Sequence, residues 1–116
     1  MGIRVLFLYP NTYGMNMLPP AVALFSALLK QYGHLVNLFD ATYYQTDHGV
    51  DSDGTKANNL NVVPFSSAEC GIKMRITDWR GDIRAKVRSF QPDLIAVSST
   101  EDMWPLGLQL LEAIEE

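Results

Sequence analysis

The sequence predicts a doubly wound α/β domain, a three-layer arrangement in which helices cover both faces of a parallel sheet. Three patterns predict it. Residues 3–9, IRVLFLY, are apolar almost throughout, which is typical of a strand buried on both faces. A helical pattern and a second strand pattern follow, completing a right-handed parallel crossover unit by residue 40. A helix pattern and then a strand pattern recur over residues 78–97.

The first helix is predicted to begin at Pro19-Pro20, because a proline there lacks only an N–H that the first turn leaves unpaired. Gly33 is the predicted stop. Apolar residues at helical spacing define the face predicted to pack on the sheet: Ala21, Leu24, Phe25, Leu28, Leu29 and Tyr32. The strand that follows, VNLFD, ends at Asp40.

Residues 41–77 form a long connection, in which a turn-rich polar stretch precedes segments without a clear period. A connection of this length is expected to be functional or mobile. A second helix is predicted from about residue 78 to residue 90. Its predicted inner face consists of Trp79, Ile83, Val87 and Phe90.

A third strand is predicted over residues 94–97, and it leads into the hydroxyl-rich triplet SST. A third helix follows, with Pro105 near its start. Its predicted inner face consists of Gly107, Leu110, Leu111 and Ile114.

Composition excludes several classes of protein. The 116 residues suit one domain, and the net charge of −4 disfavours nucleic-acid binding. No apolar run reaches the roughly 18 residues that a membrane span needs. The one cysteine, Cys70, cannot form an intrachain disulfide and fits a reducing cytoplasm. Cys70, His34 and His48 lack metal-ligand spacing, so no metal-ligating residue is predicted. No Ser, His and Asp arrangement stands out either, so no catalytic residue is predicted.

The sequence stops within or at the end of the third helix, which would leave the outer edge of the third strand unpaired. We therefore expect residues 1–116 to be the N-terminal part of a longer chain. An unpaired strand edge is also expected to promote pairing between chains.

A ligand site is predicted where the carboxyl ends of the three strands meet, because open parallel sheets bind ligands there. The polar and small residues at these ends are Asn11, Thr12, Asp40, Ala41, Thr42, Ser98, Ser99 and Thr100. The first connection, YPNTYGMNMLPP, is long and uncharged. It suits apolar contact with a large flat ligand and equally suits simple cover of the sheet rim by Met15, Met17 and Leu18.

Three stretches of the sequence resemble the N-terminal cobalamin-binding domain of cobalamin-dependent radical SAM enzymes. They are RVLFLYPN, LPPAVALFSALLKQYGHLVNLFDA and PDLIAVSST. The first two match an opening strand, a proline-led helix, a Gly-His stop and a strand that ends in Asp. The third matches a Pro-Asp start, an apolar strand and a serine. The resemblance covers roughly residues 3–41 and 92–116 and leaves the intervening insert unmatched.

The resemblance implies a cobalamin site in which no histidine binds cobalt from below. The Asp-x-His-x-x-Gly motif of methionine-synthase-type domains is absent after the first strand, and residues 11–18 would shield the lower corrin face instead. Of these, Asn11, Thr12, Met15, Met17 and Leu18 are the implied lining residues. The resemblance further implies that residues 40–42 form an adjacent wall and that residues 98–100 bond the nucleotide tail or corrin amides. Thr100 stands where the family's Ser-x-Leu motif has leucine.

In the parent protein, the resemblance implies S-adenosylmethionine and a [4Fe-4S] cluster bound by a C-terminal radical SAM domain. The implied reactions are methyl transfer and oxygen-independent ring closure of a magnesium-protoporphyrin ester. The Cys-x-x-x-Cys-x-x-Cys motif is absent from these 116 residues, so this part would not be catalytic by itself.

Two other functions fit the residues. One is a non-catalytic regulatory or interaction domain with a flavodoxin-like sheet and no cofactor. The other is a small nucleotide-binding protein. It is disfavoured because the first connection has one glycine, Gly14, rather than a phosphate-binding fingerprint.

Overall fold

The computed structural model describes residues 2–12, 19–44 and 75–115. Predictions that concern Met15, Met17, Leu18 and most of the insert, including Cys70, fall outside these residues. The described part of the chain contains three strands, β1 (Arg4–Tyr9), β2 (Leu35–Asp40) and β3 (Leu94–Val97). It also contains the helices α1 (Pro20–Gln31), α2 (Trp79–Phe90) and α3 (Trp104–Glu115), the last preceded by the 3₁₀ turn Glu101–Met103.

The predicted α/β class with a parallel sheet is confirmed. The strands are parallel and lie in the order β2-β1-β3, which is consistent with part of a flavodoxin-like or Rossmann-like fold. The central strand is paired on both sides, with Val5 opposite Val36 of β2 and Leu94 of β3. Both faces of β1 are covered as well, so Val5 to Tyr9 are all buried, as the continuous apolar run predicts.

The larger core lies between the sheet and the helices α2 and α3. Leu6 and Leu8 of β1 pack in the same cluster as Ile83 of α2 and Leu110 of α3, and none of these four side chains is exposed. The predicted inner face of α2 is confirmed, since Val87 and Phe90 also pack on this cluster. The predicted inner face of α3 is confirmed as well: Gly107 and Leu110 are buried, and Leu111 and Ile114 pack on this cluster. Leu106 and Ala113, which were not predicted, are also buried on this helix.

Helix α1 covers the other face of the sheet, and here the predicted inner face is wrong. Val22 packs against Val5 and Phe7, and Leu29 lies at the margin of the same cluster. The remaining residues of the predicted face are exposed: Ala21, Leu24, Phe25, Leu28 and Tyr32. The side turned to the sheet is therefore the narrow row Val22, Ser26 and Leu29, at i, i+4 and i+7.

The helix boundaries follow their local signals. Gly33 has a φ of +85°, a conformation that costs glycine little. Its N–H donates to the Lys30 carbonyl while the N–H of His34 donates to the Leu29 carbonyl, a Schellman motif that ends α1. At the start of α2, the Asp78 carboxylate accepts hydrogen bonds from the N–H groups of Arg80 and Gly81.

Candidate functional site

The three strands end at one edge of the sheet. The N–H of Ala41, just after β2, donates to the Tyr9 carbonyl at 3.1 Å, and the N–H of Ser98, just after β3, donates to the Leu8 carbonyl at 3.0 Å. The chain passes from β1 to β2 on one side and returns to β3 on the other side. The direction of winding thus reverses between β1 and β3, which is where open parallel sheets bind ligands.

Hydrogen bonds tie the segment after β1 to the segment after β2. The side-chain amide of Asn11 donates to Thr42 Oγ1 at 3.1 Å. The N–H and the hydroxyl of Thr42 both donate to Asp40 Oδ1, at 2.9 and 2.5 Å. Asn11 and Thr42 are buried, whereas Asp40 is exposed. The network therefore fixes a polar wall whose outer end is a carboxylate.

Thr12, which follows Asn11 after β1, has an unusual feature. Its side chain is 95% buried, with 5% exposed, and among the described residues its Oγ1 has no hydrogen-bond partner. A buried hydroxyl without a partner costs about 1–3 kcal/mol relative to a paired one. A polar ligand group that reached Thr12 would remove this cost.

The predicted residues divide into two groups around β1. Asn11, Asp40 and Thr42 form the polar wall on the β2 side, Thr12 follows Asn11 in the chain, and the side chain of Ala41 belongs to the large core. Ser98, Ser99 and Thr100 lie on the β3 side of the same edge; Ser98 is half-buried and the other two are exposed. The Ser99 hydroxyl donates to the carbonyl of Thr100 at 2.7 Å.

Tyr9, at the predicted end of the first strand, also belongs to this edge, although it is not among the predicted site residues. It is the last residue of β1, it is 7% exposed, and it is paired in register with Asp40. Burial, and then the negative charge of Asp40, raise the pKa of its phenol above 10.0, so the hydroxyl stays protonated at neutral pH. The sequence signal for Tyr9 is its position as the last residue of the apolar run IRVLFLY, where its side chain carries the one hydroxyl group near the end of the strand.

A second polar cluster, which sequence reasoning also missed, surrounds a cleft of about 570 Å³ between β2 and α2. The Tyr44 hydroxyl donates to Asp82 Oδ2 at 2.8 Å, and the Thr77 hydroxyl donates to the same oxygen at 2.7 Å. The Arg75 guanidinium lies 5.2 Å from the centre of the Tyr44 ring. On the far side of the cleft, Lys86 Nζ donates to the Leu38 carbonyl at 2.7 Å.

This cleft carries balanced charge. Two carboxylates, Asp40 and Asp82, line it together with the cations of Arg75 and Lys86. Partial burial, and then the positive charge of Arg75, lower the pKa of the Lys86 ammonium. The cluster therefore holds α2 and residue 75 against the edge of β2, and its balanced charge favours neither a positively nor a negatively charged ligand.

The hydrogen bonds to Asp82 predict a pH dependence of stability. Those from Thr77 and then Tyr44 hold the pKa of this carboxyl below its ordinary value of 3.8, with a smaller contribution from Arg75. The charged carboxylate therefore stabilises the fold above pH 3.8, and this stabilisation is lost as the pH falls through the lower folded-state pKa. We expect Asp82→Asn to reduce the free energy of unfolding more at about pH 6 than at about pH 2.5.

Urea unfolding of both proteins at a series of pH values measures this difference. Thr77→Val removes the hydroxyl that donates to Asp82 and keeps the carboxylate. The stability of this variant should therefore fall less on acidification than that of the wild type. Unfolding curves of wild type and Asp82→Asn that stay equally separated at every pH would contradict the assignment.

Among the described residues, no helix is long and apolar enough to cross a membrane. Nor do His, Cys, Asp and Glu side chains in this part of the chain form a group of three or more that could hold a metal ion. Comparison of the chain with protein-family models, with curated proteins and with solved structures finds no match.

Proposed function

We propose that this chain is a cobalamin-binding module of a cytoplasmic radical SAM protein. The observation that carries the proposal is the buried, unpartnered hydroxyl of Thr12, the residue that follows Asn11 of the Asn11–Thr42 pair. The Asn11–Thr42 pair lies at the carboxyl edge of the sheet, the edge that the sequence resemblance assigns to the cofactor, on the β2 side of β1.

The chemistry of this edge suits a corrin. The periphery of cobalamin carries neutral amide side chains, which both donate and accept hydrogen bonds. The edge offers hydroxyls, an amide and one carboxylate, from Thr12, Asn11, Thr42, Ser98 and Asp40. Amides pair with such groups without needing a fixed positive charge.

Cobalt would have no histidine ligand from the described residues. His34 lies at the opposite, amino end of the sheet, where its Nδ1 accepts a hydrogen bond from the N–H of Ile3 at 3.0 Å. In this proposal, residues 11–18 shield the lower corrin face, residues 40–42 form the wall and Ser98–Thr100 bond the tail or the corrin amides. Bound cobalamin would supply methyl transfer or oxygen-independent tetrapyrrole ring closure together with S-adenosylmethionine and a [4Fe-4S] cluster of a neighbouring domain.

Thr12→Val tests the role of the buried hydroxyl. Valine has nearly the same shape and no polar atom, so the variant should fold with equal or greater stability. It should bind hydroxocobalamin about tenfold more weakly, because a hydrogen bond formed only with ligand is worth roughly 1.4 kcal/mol. The measurement is the visible spectrum of protein freed of excess ligand, with affinity from a titration.

Thr77→Val is the matched control, since it makes the same chemical change at the α2 cluster and should leave cobalamin binding unchanged. Electron paramagnetic resonance of the cob(II)alamin form should show no splitting from an axial nitrogen. A wild-type protein that is colourless after excess hydroxocobalamin has been removed would overturn the proposal and favour an interaction domain without cofactor. Equal affinity in Thr12→Val and wild type would remove Thr12 from the site.

A further inference from the structure

The cleft between β2 and α2, which we call the β2–α2 cleft, has the size of a small-molecule site, with a volume of about 570 Å³. It combines apolar groups with charges of both signs. The lining residues that bear on ligand binding are Leu38, Asp40, Arg75, Asp82, Ala85 and Lys86. The hydrogen bonds of the charged residues show which of their groups remain available to a ligand.

Asp82 supplies a carboxylate oxygen that can accept from a ligand. The hydrogen bonds from the hydroxyls of Tyr44 and Thr77 both end on Oδ2, and the other oxygen, Oδ1, accepts none from the described residues. These two bonds hold the pKa of the carboxyl below 3.8, so the group is ionised at neutral pH. An ionised carboxylate makes its strongest hydrogen bonds with charged donors such as an ammonium group.

Arg75 and Lys86 supply positive charge at the same cleft. Lys86 Nζ donates one of its three hydrogens to the Leu38 carbonyl, at 2.7 Å. The Arg75 guanidinium approaches the Tyr44 hydroxyl at 3.5 Å through Nη1 alone. After partial burial, the charge of Arg75 is the second cause of the lowered pKa of Lys86, so the two cations repel each other. A ligand anion between them would offset this repulsion.

The opposite charges of Asp82 and Arg75 lie close together without forming a direct ion pair between these two described residues. The Tyr44 hydroxyl lies between them, 2.8 Å from Asp82 Oδ2 and 3.5 Å from Arg75 Nη1. Since neither charge neutralises the other by contact, each can still bind a ligand group of the opposite sign. The short separation suits a ligand whose two charges are also close together.

We propose that the β2–α2 cleft binds a zwitterion, namely a free α-amino acid with an apolar side chain. The ammonium group of the ligand donates to Asp82 Oδ1, and its carboxylate accepts from Arg75 and Lys86. The apolar side chain lies against Leu38 and Ala85. None of these five residues belongs to the polar wall, so the inference is independent of the cobalamin proposal.

An NMR titration with three related probes at about pH 6 tests the charges that the ligand needs. L-leucine carries both charges, L-leucine methyl ester carries only the ammonium group at this pH, and N-acetyl-L-leucine carries only the carboxylate. We expect L-leucine to shift the amide signals of residues 38, 75, 82 and 86 saturably. Each of the other two probes should bind at least about tenfold more weakly.

Two results of this titration would overturn the proposal. Equal affinity of L-leucine and either derivative would show that the cleft does not recognise a zwitterion. The absence of saturable shifts with L-leucine at concentrations up to about 10 mM would show that the cleft is not an amino-acid site.

Variants that remove one positive charge test the protein side of the site. Arg75→Gln and Lys86→Gln each keep an N–H donor, so the Leu38 carbonyl can stay paired in the second variant. Each should weaken the binding of L-leucine at least about tenfold. Arg88→Gln is the matched control, because Arg88 is exposed on α2 and is not among the residues that line the cleft.

Circular dichroism establishes that the three variants have the helix content of the wild type. The control should bind L-leucine like the wild type. Unchanged affinity in Arg75→Gln and Lys86→Gln, or equal weakening in all three variants, would exclude the cleft as the site. The comparison of the three probes on the wild-type chain decides the question even where a variant does not fold.

Discussion

Trp79→Ala is expected to lower the free energy of unfolding by about 3–5 kcal/mol, the loss typical of a buried tryptophan. Trp79 is the first residue of α2 and is 6% exposed. It packs in the large core together with Phe39 and Tyr44, which belong to β2 and the segment after it. It therefore holds the start of α2 against the outer part of the sheet.

Urea unfolding followed by circular dichroism measures this loss. Trp104→Ala is the matched control, because Trp104 is 45% exposed at the start of α3 and removes the same atoms from a less buried site. Its cost should stay below about 1.5 kcal/mol. Equal losses in the two variants would show that the packing of α2 on the sheet is not the source of the effect.

Leu8→Ala should cost about 2–5 kcal/mol, since it opens a cavity at the centre of the fold. Leu8 is fully buried, is paired with neighbouring strands on both sides and packs in the core that α2 and α3 share. The surroundings cannot easily collapse into the space, because the central strand is fixed by both hydrogen-bond ladders.

Leu24→Ala is the control for Leu8→Ala. It removes the same atoms from a side chain of α1 that is 58% exposed, and alanine favours the helix. The control should change the free energy of unfolding by less than about 0.5 kcal/mol. A Leu8→Ala protein that unfolds at the wild-type urea concentration would contradict the assignment of Leu8 to the core.

The sequence predicted the layers and strands well because each has a distinct periodicity. The apolar run of β1 indicated a strand covered on both faces, and the period of Trp79, Ile83 and Val87 identified the inner face of α2. The prolines and Gly33 located the ends of α1 within a residue or two. These signals are local and depend little on the rest of the structure.

The inner face of α1 could not be predicted in the same way. Hydrophobic periodicity records every apolar surface of a helix, whether it contacts the sheet of the same chain or is left for another partner. The wide apolar stripe at Leu24, Phe25 and Leu28 therefore outweighed the narrow row at Val22 and Leu29 that contacts the sheet. Only the structure separates the two.

The polar wall and the cleft illustrate a similar limit. Topology alone predicted that Asn11 and Thr42 would lie at one edge, but their hydrogen bond spans 31 positions of the sequence. The Tyr44–Asp82 hydrogen bond spans 38 positions, and the local sequence pattern does not predict it. Whether the edge binds cobalamin stays a prediction for the spectrum to test.

The hydrogen bond from Lys86 to Leu38 makes the two edge strands of the sheet, β2 and β3, differ in how readily another strand can pair with them. A strand docking outside β2 would compete with an ammonium group that already occupies a backbone acceptor there, and would have to dislodge α2's lysine. Beside β3 no such competition arises from the described residues. An additional strand is therefore expected to pair more readily beside β3 than beside β2.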